Sequence, residues 1–168
     1  MSTLDQPDKG KVKIDSLDVS KLNDINLSKI RNQKIGFVFQ SHYLLPEFTA
    51  LENAIMPAWI ANKDDKKSAV ENIFEYLGIL KRKNHYPSQL SGGEKARVCL
   101  TRAIINKPLI LFADEPTGNL DKKNSEKLVS LFQKINSDFN QTIILTTHNK
   151  EVADFGNKKL TLENGVLS

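Results

Sequence analysis

One cysteine, Cys99, stands among 168 residues, so no disulfide can form within the chain. It falls in a helical pattern and reads as a small core residue. The start, Met1-Ser2-Thr3-Leu4-Asp5, has neither a basic nor an apolar stretch of the kind a secretory signal needs. No apolar run reaches the length that crosses a bilayer. These absences set the expectation of a cytosolic chain, or one peripheral on the cytosolic side of a membrane. Long basic runs are missing as well. The densest, Lys81-Arg82-Lys83, is too short to argue for nucleic acid, and acids interleave with the bases elsewhere (Lys63-Asp64-Asp65-Lys66), so the net charge of +4 carries little weight. No internal repeat or low-complexity tract is visible.

What is present fits one domain with a sizeable core. Lys11-Val12-Lys13-Ile14 alternates polar and apolar and predicts a strand. A short helix is expected over Leu22–Arg31, a strand over Ile35–Phe39, and a loop containing Pro46 over Gln40–Phe48. Thr49-Ala50-Leu51-Glu52 has capping-box spacing and opens a helix. A second helix is expected from about Asp64 to Leu77, stopping at Gly78, with Pro87 in the loop beyond. Ser91-Gly92-Gly93-Glu94 repeats the capping-box spacing, and the helix behind it carries Ala96, Leu100, Ala103 and Ile104 on one face. Leu109–Ala113 is an uninterrupted apolar run. Asp121 begins a long amphipathic helix with Leu128, Leu131, Phe132 and Ile135. Thr142–Thr147 is a second apolar strand, and a short helix and a strand over Lys159–Leu162 close the chain.

From Leu109 to Thr147 the order is therefore strand, helix, strand. Both strands are too apolar to have one wet face, which predicts a parallel sheet covered on both faces. In such sheets the ligand crevice lies beyond the carboxyl ends of the strands. Asp114 and Glu115 end one strand and His148 follows the other, so two acids and an imidazole are directed at one crevice.

Each motif has a chemical and a plain reading. Leu90-Ser91-Gly92-Gly93-Glu94 exposes backbone amides at a helix N-terminus, where the dipole favours an anion, and the Ser91 hydroxyl adds a donor. The same residues also describe an ordinary capped helix. Asp114 is placed as a carboxylate that holds Mg²⁺ through water near phosphates, and Glu115 as one that polarises a water for in-line attack. Asp-Glu-Pro also describes a strand end leading into a turn. Thr117-Gly118-Asn119-Leu120-Asp121 needs no more than a helix cap. Alone, His148 and Gln40 read as a loop histidine and a surface glutamine.

Taken in order, Gln40, Leu90–Glu94, Leu109–Pro116, Gly118-Asn119-Leu120-Asp121 and His148 resemble the Q-loop, signature, Walker B, D-loop and H-loop of ABC ATPases. Five motifs in sequence cover nearly the whole chain. Phe37-Val38-Phe39-Gln40, Leu44-Leu45-Pro46, Leu51-Glu52-Asn53 and Ala113–Asp121 are similar to the lipoprotein-releasing branch, which also holds macrolide exporters and cell-division ATPases. Lys95-Ala96 stand where glutamines are common, outside the phosphate-contacting tip. Chromosome-organising relatives carry coiled coils or zinc sites, and this chain has neither heptads nor paired cysteines.

The resemblance implies an α/β, P-loop NTPase-like ABC ATPase domain: a parallel core sheet, 1–48 with 91–168, plus a helical subdomain over about 49–90. It implies an ATPase that drives a transmembrane permease by Mg²⁺-ATP hydrolysis, paired with a second ATPase subunit, like or unlike, at the cytoplasmic face of the inner membrane, with no nucleic acid. By the same resemblance Glu115 is the general base or water-positioning residue. Asp114 and Gln40 serve the Mg²⁺, Gln40 also the attacking water, and His148 the γ-phosphate. Ser91, Gly92, Gly93 and Glu94 form the tip that meets the γ-phosphate of ATP on the opposite subunit. Asp121 links the two sites across the dimer. Leu44, Leu45, Phe48 and Trp59 are candidates for the permease-facing surface, or for ordinary packing.

The family's Walker A, G-x-x-x-x-G-K-[ST], is not among these residues: Gly10-Lys11 is followed by Val12, and Asp5 stands where the first glycine belongs. Met1–Pro7 reads as the end of the helix that follows that loop, so the chain is expected to lack the P-loop strand and helix. Losing four or five buried apolar side chains, at roughly 1.5–3 kcal/mol each, would rival a domain's net stability of about 5–15 kcal/mol. The corresponding expectation is a poorly soluble or molten isolated chain with weak nucleotide affinity. A subunit that only donates its signature tip to an intact partner, or a non-functional fragment, is the alternative.

Overall fold

The structure is a computed structural model that describes residue 3, residue 5, residues 7–63 and residues 65–168. The reading of Met1–Pro7 as a helix end, and the start of a helix at Asp64, lie outside the described residues.

Lys13–Ile14 (β1) and Leu17–Asp18 (β2) form a hairpin around Asp15 and Ser16, both at positive φ. The strand expected over Lys11–Ile14 is thus shorter than its alternation, because the chain turns back at Asp15. Asn23 caps the helix Asp24–Lys34 (α1), accepting from the Asn26 amide at 3.0 Å. This helix starts and ends later than expected and runs straight into the strand Ile35–Phe39 (β3). Thr49 caps Ala50–Ile60 (α2) with the full reciprocal capping box that its spacing promised. Lys67–Tyr76 (α3) follows, and Gly78 at φ +71° ends that turn. Pro87–Gln89 is one turn of 3₁₀ helix rather than plain loop. Ser91 caps Gly92–Ile104 (α4). Then come Ile110–Asp114 (β4), Lys122–Phe139 (α5) capped by Asp121, Thr142–Thr146 (β5) and the short helix Lys150–Ala153 (α6). Leu162–Glu163 (β6) and Val166–Leu167 (β7) close the chain as a hairpin. Its two turn residues, Asn164 and Gly165, both have positive φ, which is what a tight hairpin turn demands. One strand over Lys159–Leu162 is therefore corrected to this pair.

The central sheet runs β3-β4-β5, all parallel. On one face, α4 packs against β3, α2 and α5. Val38, Leu111 and Ala113 from the sheet, Phe74 and Val70 from α3, Leu100 from α4 and Phe132 from α5 share one continuous apolar core. On the other face, a smaller cluster of Ile14, Val19, Leu27 and Ile35 packs with Phe37 and Phe112. Each fully buried residue of this kind contributes roughly 1.5–3 kcal/mol of transfer free energy.

β5 departs from expectation. Its residues alternate between exposed and half-buried, with Ile143 and Leu145 turned to the main core and Ile144 left open. The prediction of cover on both faces holds for β3 and β4 and fails for β5. Among the described residues the small cluster over Phe37 and Phe112 does not extend across Ile144, and β5, like β3, lies at an edge of this sheet. Among the described residues no helix is long and apolar enough to cross a membrane.

Candidate functional site

Sheet register builds the site. Phe39, Asp114 and Thr146 sit side by side at the carboxyl ends of β3, β4 and β5. Gln40, Glu115 and the Thr147-His148 pair therefore leave from one edge, as ligand-binding loops do in parallel sheets. The Thr146 hydroxyl donates to Asp114 Oδ1 at 2.6 Å, the two side chains sharing one face of the pleat. The Glu115 amide donates to the Thr146 carbonyl at 3.0 Å, so the ladder continues one residue past the strand. At Glu115 the backbone turns out at φ +43°, a left-handed conformation that a non-glycine residue holds only when its surroundings fix it.

Those surroundings are the β5 loop. Glu115 Oε1 accepts from the His148 amide at 2.8 Å and lies 2.7 Å from His148 Nδ1. Oε2 accepts from the Thr147 hydroxyl at 3.2 Å. A carboxylate only accepts, so the proton of this pair sits on Nδ1 and Nε2 is left facing outward. The His148 side chain is 84% exposed and that of Glu115 only 24%. Beside them a cavity of about 510 Å³ opens between α5 and α6, lined in part by Lys122, Ser125, Val129, Lys150 and Phe155.

Gln40 meets the loop after β4. Asn119 Nδ2 donates to the Gln40 carbonyl at 3.0 Å, and Gln40 Nε2 donates back to Asn119 Oδ1 at 3.4 Å. Gly118 lies directly under the glutamine: a Cβ there would stand 2.5 Å from Gln40 Nε2. The missing side chain is what lets the two loops close on each other.

The tip before α4 joins the same loop from its other side. A Cβ on Gly92 would lie 3.2 Å from Leu120 Cδ2, and one on Gly93 would lie 2.9 Å from Asn124 Oδ1. Ser91 Oγ accepts from the Glu94 amide at 3.3 Å while Glu94 Oε2 accepts from the Ser91 amide at 2.8 Å. Glu94 also pairs with Arg82 at 2.7 Å. Partial burial alone pushes the Glu94 carboxyl up, but the Arg82 guanidinium and the Ser91 donors outweigh it and bring it down to about 2. Asp121 caps α5, accepting from the Asn124 amide at 2.9 Å and the Asn124 side chain at 2.6 Å, and these donors hold its carboxyl below the usual range. The plain reading of Asp121 as a cap is thus what its side chain does in this conformation.

Glu115 and His148 are in direct contact, Gln40 sits against Gly118-Asn119, and Ser91-Gly92-Gly93 sits against the start of α5. Asp114 stands with Thr146. Pattern reading missed Asn119, Thr146, Thr147, Asn124 and Arg82. Asn119 lies inside the Gly-Asn-Leu-Asp motif and Thr147 beside His148, so proximity in sequence was a signal for those two. Arg82 had none. Of the four candidate surface residues, Leu44 packs on the core and Phe48 is half-buried, whereas Leu45 and Trp59 are exposed together with Tyr43 and Ile60.

The family of ABC transporters matches residues 1–118, from before Gln40 through the Ser91 tip to Gly118. The chain belongs to the ABC transporter family. The lipoprotein-releasing system ATP-binding protein LolD of Cytophaga hutchinsonii is 47% identical, over 99% of this chain and 77% of that protein. LolD of Bacteroides fragilis is 44% identical, over 98% of this chain and 77% of its own length. Among solved structures, the dimeric bacterial ABC transporter cassette MJ0796 superposes with a TM-score of 0.86 at 38% identity, over 98% of this chain and 73% of that one. A dimeric post-hydrolysis state of MJ0796 bound to ADP and Pi gives 0.82. The family and the α/β ABC ATPase fold expected from the five motifs are borne out, and with them the reading as an ATPase.

Proposed function

We propose that this ABC cassette is the ATP-binding and ATP-hydrolysing subunit of a lipoprotein-releasing transporter. It works as one of a pair of cassettes beneath a transmembrane permease, peripheral to the cytoplasmic face of the inner membrane. The observation that carries the reading is the convergence of Gln40, Glu115 and His148 at one sheet edge, with the Ser91 tip locked to the same Gly118–Asp121 loop. The names of the relatives support the lipoprotein-releasing branch.

Glu115 is the residue that orients and deprotonates the attacking water. Its carboxylate is fixed by three donors from the β5 loop, so its oxygens keep their direction through turnover. With Nδ1 given to Glu115, His148 turns its Nε2 edge toward the γ-phosphate. Ser91, Gly92 and Gly93, with Glu94 completing the box, offer a hydroxyl and helix-start amides to the γ-phosphate held by the opposite cassette. Asp121 holds that tip's neighbour in place and faces the dimer partner.

Mg²⁺ fits the donors present. The Asp114 carboxylate and the Gln40 amide oxygen are hard oxygen ligands at one edge. Among the described residues no set of three His, Cys, Asp or Glu side chains could hold a metal alone, which suits an ion that keeps its waters and takes phosphate oxygens. When bound, it neutralises phosphate charge as the leaving group departs. We assign 49–90 to a helical subdomain, with 1–48 and 91–168 as the core. Exposed Leu45 and Trp59 meet the permease.

The test is purification of the tagged chain from solubilised membranes of its own cells. Co-purification of an integral membrane subunit, with ATP hydrolysis that rises on adding lipoprotein, supports the reading. A chain recovered free of any membrane protein, without ATP hydrolysis, sinks it.

A further inference from the structure

The loop that carries Gln40 is held in an unfavourable backbone shape by a residue outside every motif described above. His42 and Tyr43 both have positive φ, 61° and 46°. Neither is a glycine, and consecutive left-handed residues persist only under constraint. Their carbonyls are gripped by one side chain of α4: Arg102 Nη2 donates to the His42 carbonyl at 2.6 Å, and Nη1 donates to the Tyr43 carbonyl at 2.8 Å. The buried Cys99 thiol, one turn earlier on α4, donates to the same His42 carbonyl at 3.1 Å. His42 itself is buried, and among the described residues its Nε2 has no hydrogen-bond partner. Its ring therefore gives the loop no polar anchor at that atom, and the grip falls on the backbone.

This grip bears on Gln40 through one turn. The His42 amide donates to the Phe39 carbonyl at 3.1 Å, and the turn so closed contains Gln40 and Ser41. Where His42 is fixed, the backbone of Gln40 is fixed, and with it the side chain that meets Asn119 and lies over Gly118.

We propose that Arg102 is a positioning residue for ATP hydrolysis: its guanidinium fork clamps the His42-Tyr43 backbone and so sets the direction of Gln40. The inference rests on the proposed ATPase role of Gln40. A lysine keeps the charge and most of the stem but carries all its donors on one nitrogen, so it lacks the rigid two-nitrogen fork that spans two successive carbonyls. Arg102→Lys is therefore the informative variant, because Arg102→Ala also removes packing from α4 and is open to general misfolding.

Two measurements decide it. In the full-length chain, amide hydrogen exchange at His42 and Tyr43 should quicken on the order of tenfold in Arg102→Lys, while the core amides of β4 stay as slow as before. Unchanged exchange at those two amides overturns the clamp, whatever the chain's activity. In the purified membrane complex, Arg102→Lys should lower kcat by on the order of 10–100-fold, with KM for ATP unchanged. In a Gln40→Ala background the same substitution should have no further effect on kcat. An equal loss in both backgrounds overturns the proposal, since Arg102 would then act through general structure and not through Gln40. If the unsubstituted complex hydrolyses no ATP, the functional reading fails, and the exchange result still stands or falls alone.

Discussion

Replacing Gly118 by alanine should separate catalysis from stability. The added Cβ would lie 2.5 Å from Gln40 Nε2, 2.9 Å from its Cδ and 3.1 Å from its Cγ. An ordinary contact needs close to 3.5 Å or more, so the glutamine side chain must move by about 1 Å. It can do so cheaply: Gln40 is exposed, and the atoms in the way are the far end of a flexible chain. Gly118 is not among the residues at positive φ, so alanine adopts its backbone without strain. A compatible Gly→Ala change stabilises by about 0.4–1 kcal/mol through the unfolded chain. Gly118→Ala should therefore leave Tm unchanged or slightly raised. A displacement of about 1 Å at a residue proposed to serve the metal and the water costs on the order of 100-fold in rate, and the loss should fall on kcat. The assay is ATP hydrolysis by the purified membrane complex over a range of ATP concentrations, beside a thermal melt of the same sample. Full kcat with an unchanged Tm would refute the placement of Gln40 over Gly118.

Two further substitutions probe the helical side of the molecule. Arg82→Ala removes the cationic partner of Glu94 and leaves its negative charge uncompensated at the tip proposed to meet phosphate, so KM for ATP should rise. Glu94 titrates near 2 rather than its ordinary 4.5, so its contribution to the α4 cap is complete above about 4.5 and is lost as pH falls toward 2. The Ser91 amide should thus stay protected from exchange at pH 4 in the unsubstituted chain and lose protection there in Arg82→Ala. Equal protection in both would contradict the pairing. Asn53 is fully buried, donates to the carbonyls of Leu45, Phe48 and Thr49, and accepts from the Leu45 amide at 2.8 Å. Asn53→Ala should cost roughly 2–4 kcal/mol, because several buried groups lose their partner at once. A denaturant midpoint within error of the unsubstituted chain would show that those bonds are not needed.

The parts legible in the sequence were those with local causes. The helix caps at Thr49 and Ser91 came from capping-box spacing, that at Asp121 from a capping residue ahead of an amphipathic run, and β3 from an apolar run that ends at a glutamine. The parallel order of the sheet followed from strand, helix and strand with apolar runs at both ends. Coverage of β5 was not legible, because Thr142–Thr146 reads equally as a central or an edge strand until its neighbours are known. The closing hairpin was carried by Asn164-Gly165, a turn signal stronger than the alternation of Lys159–Leu162. In the site, residue types at strand ends pointed to Asp114, Glu115 and His148, but contacts set by the tertiary fold left no pattern. Gln40 and Asn119 are 79 residues apart, and Arg102 reaches back 60 residues to His42. Arg82 and Glu94 approach through a loop and a one-turn helix, not along one helical face.

The most direct measurement is the rate of ATP hydrolysis by the membrane complex carrying Glu115→Gln, with ATP binding followed in the same sample. The amide keeps the size of the carboxylate and the bond from the Thr147 hydroxyl but cannot take a proton. Turnover should fall by on the order of 100–10,000-fold while ATP still binds. Hydrolysis at the unsubstituted rate would contradict the assignment of Glu115, and with it the claim that this sheet edge is the hydrolytic site.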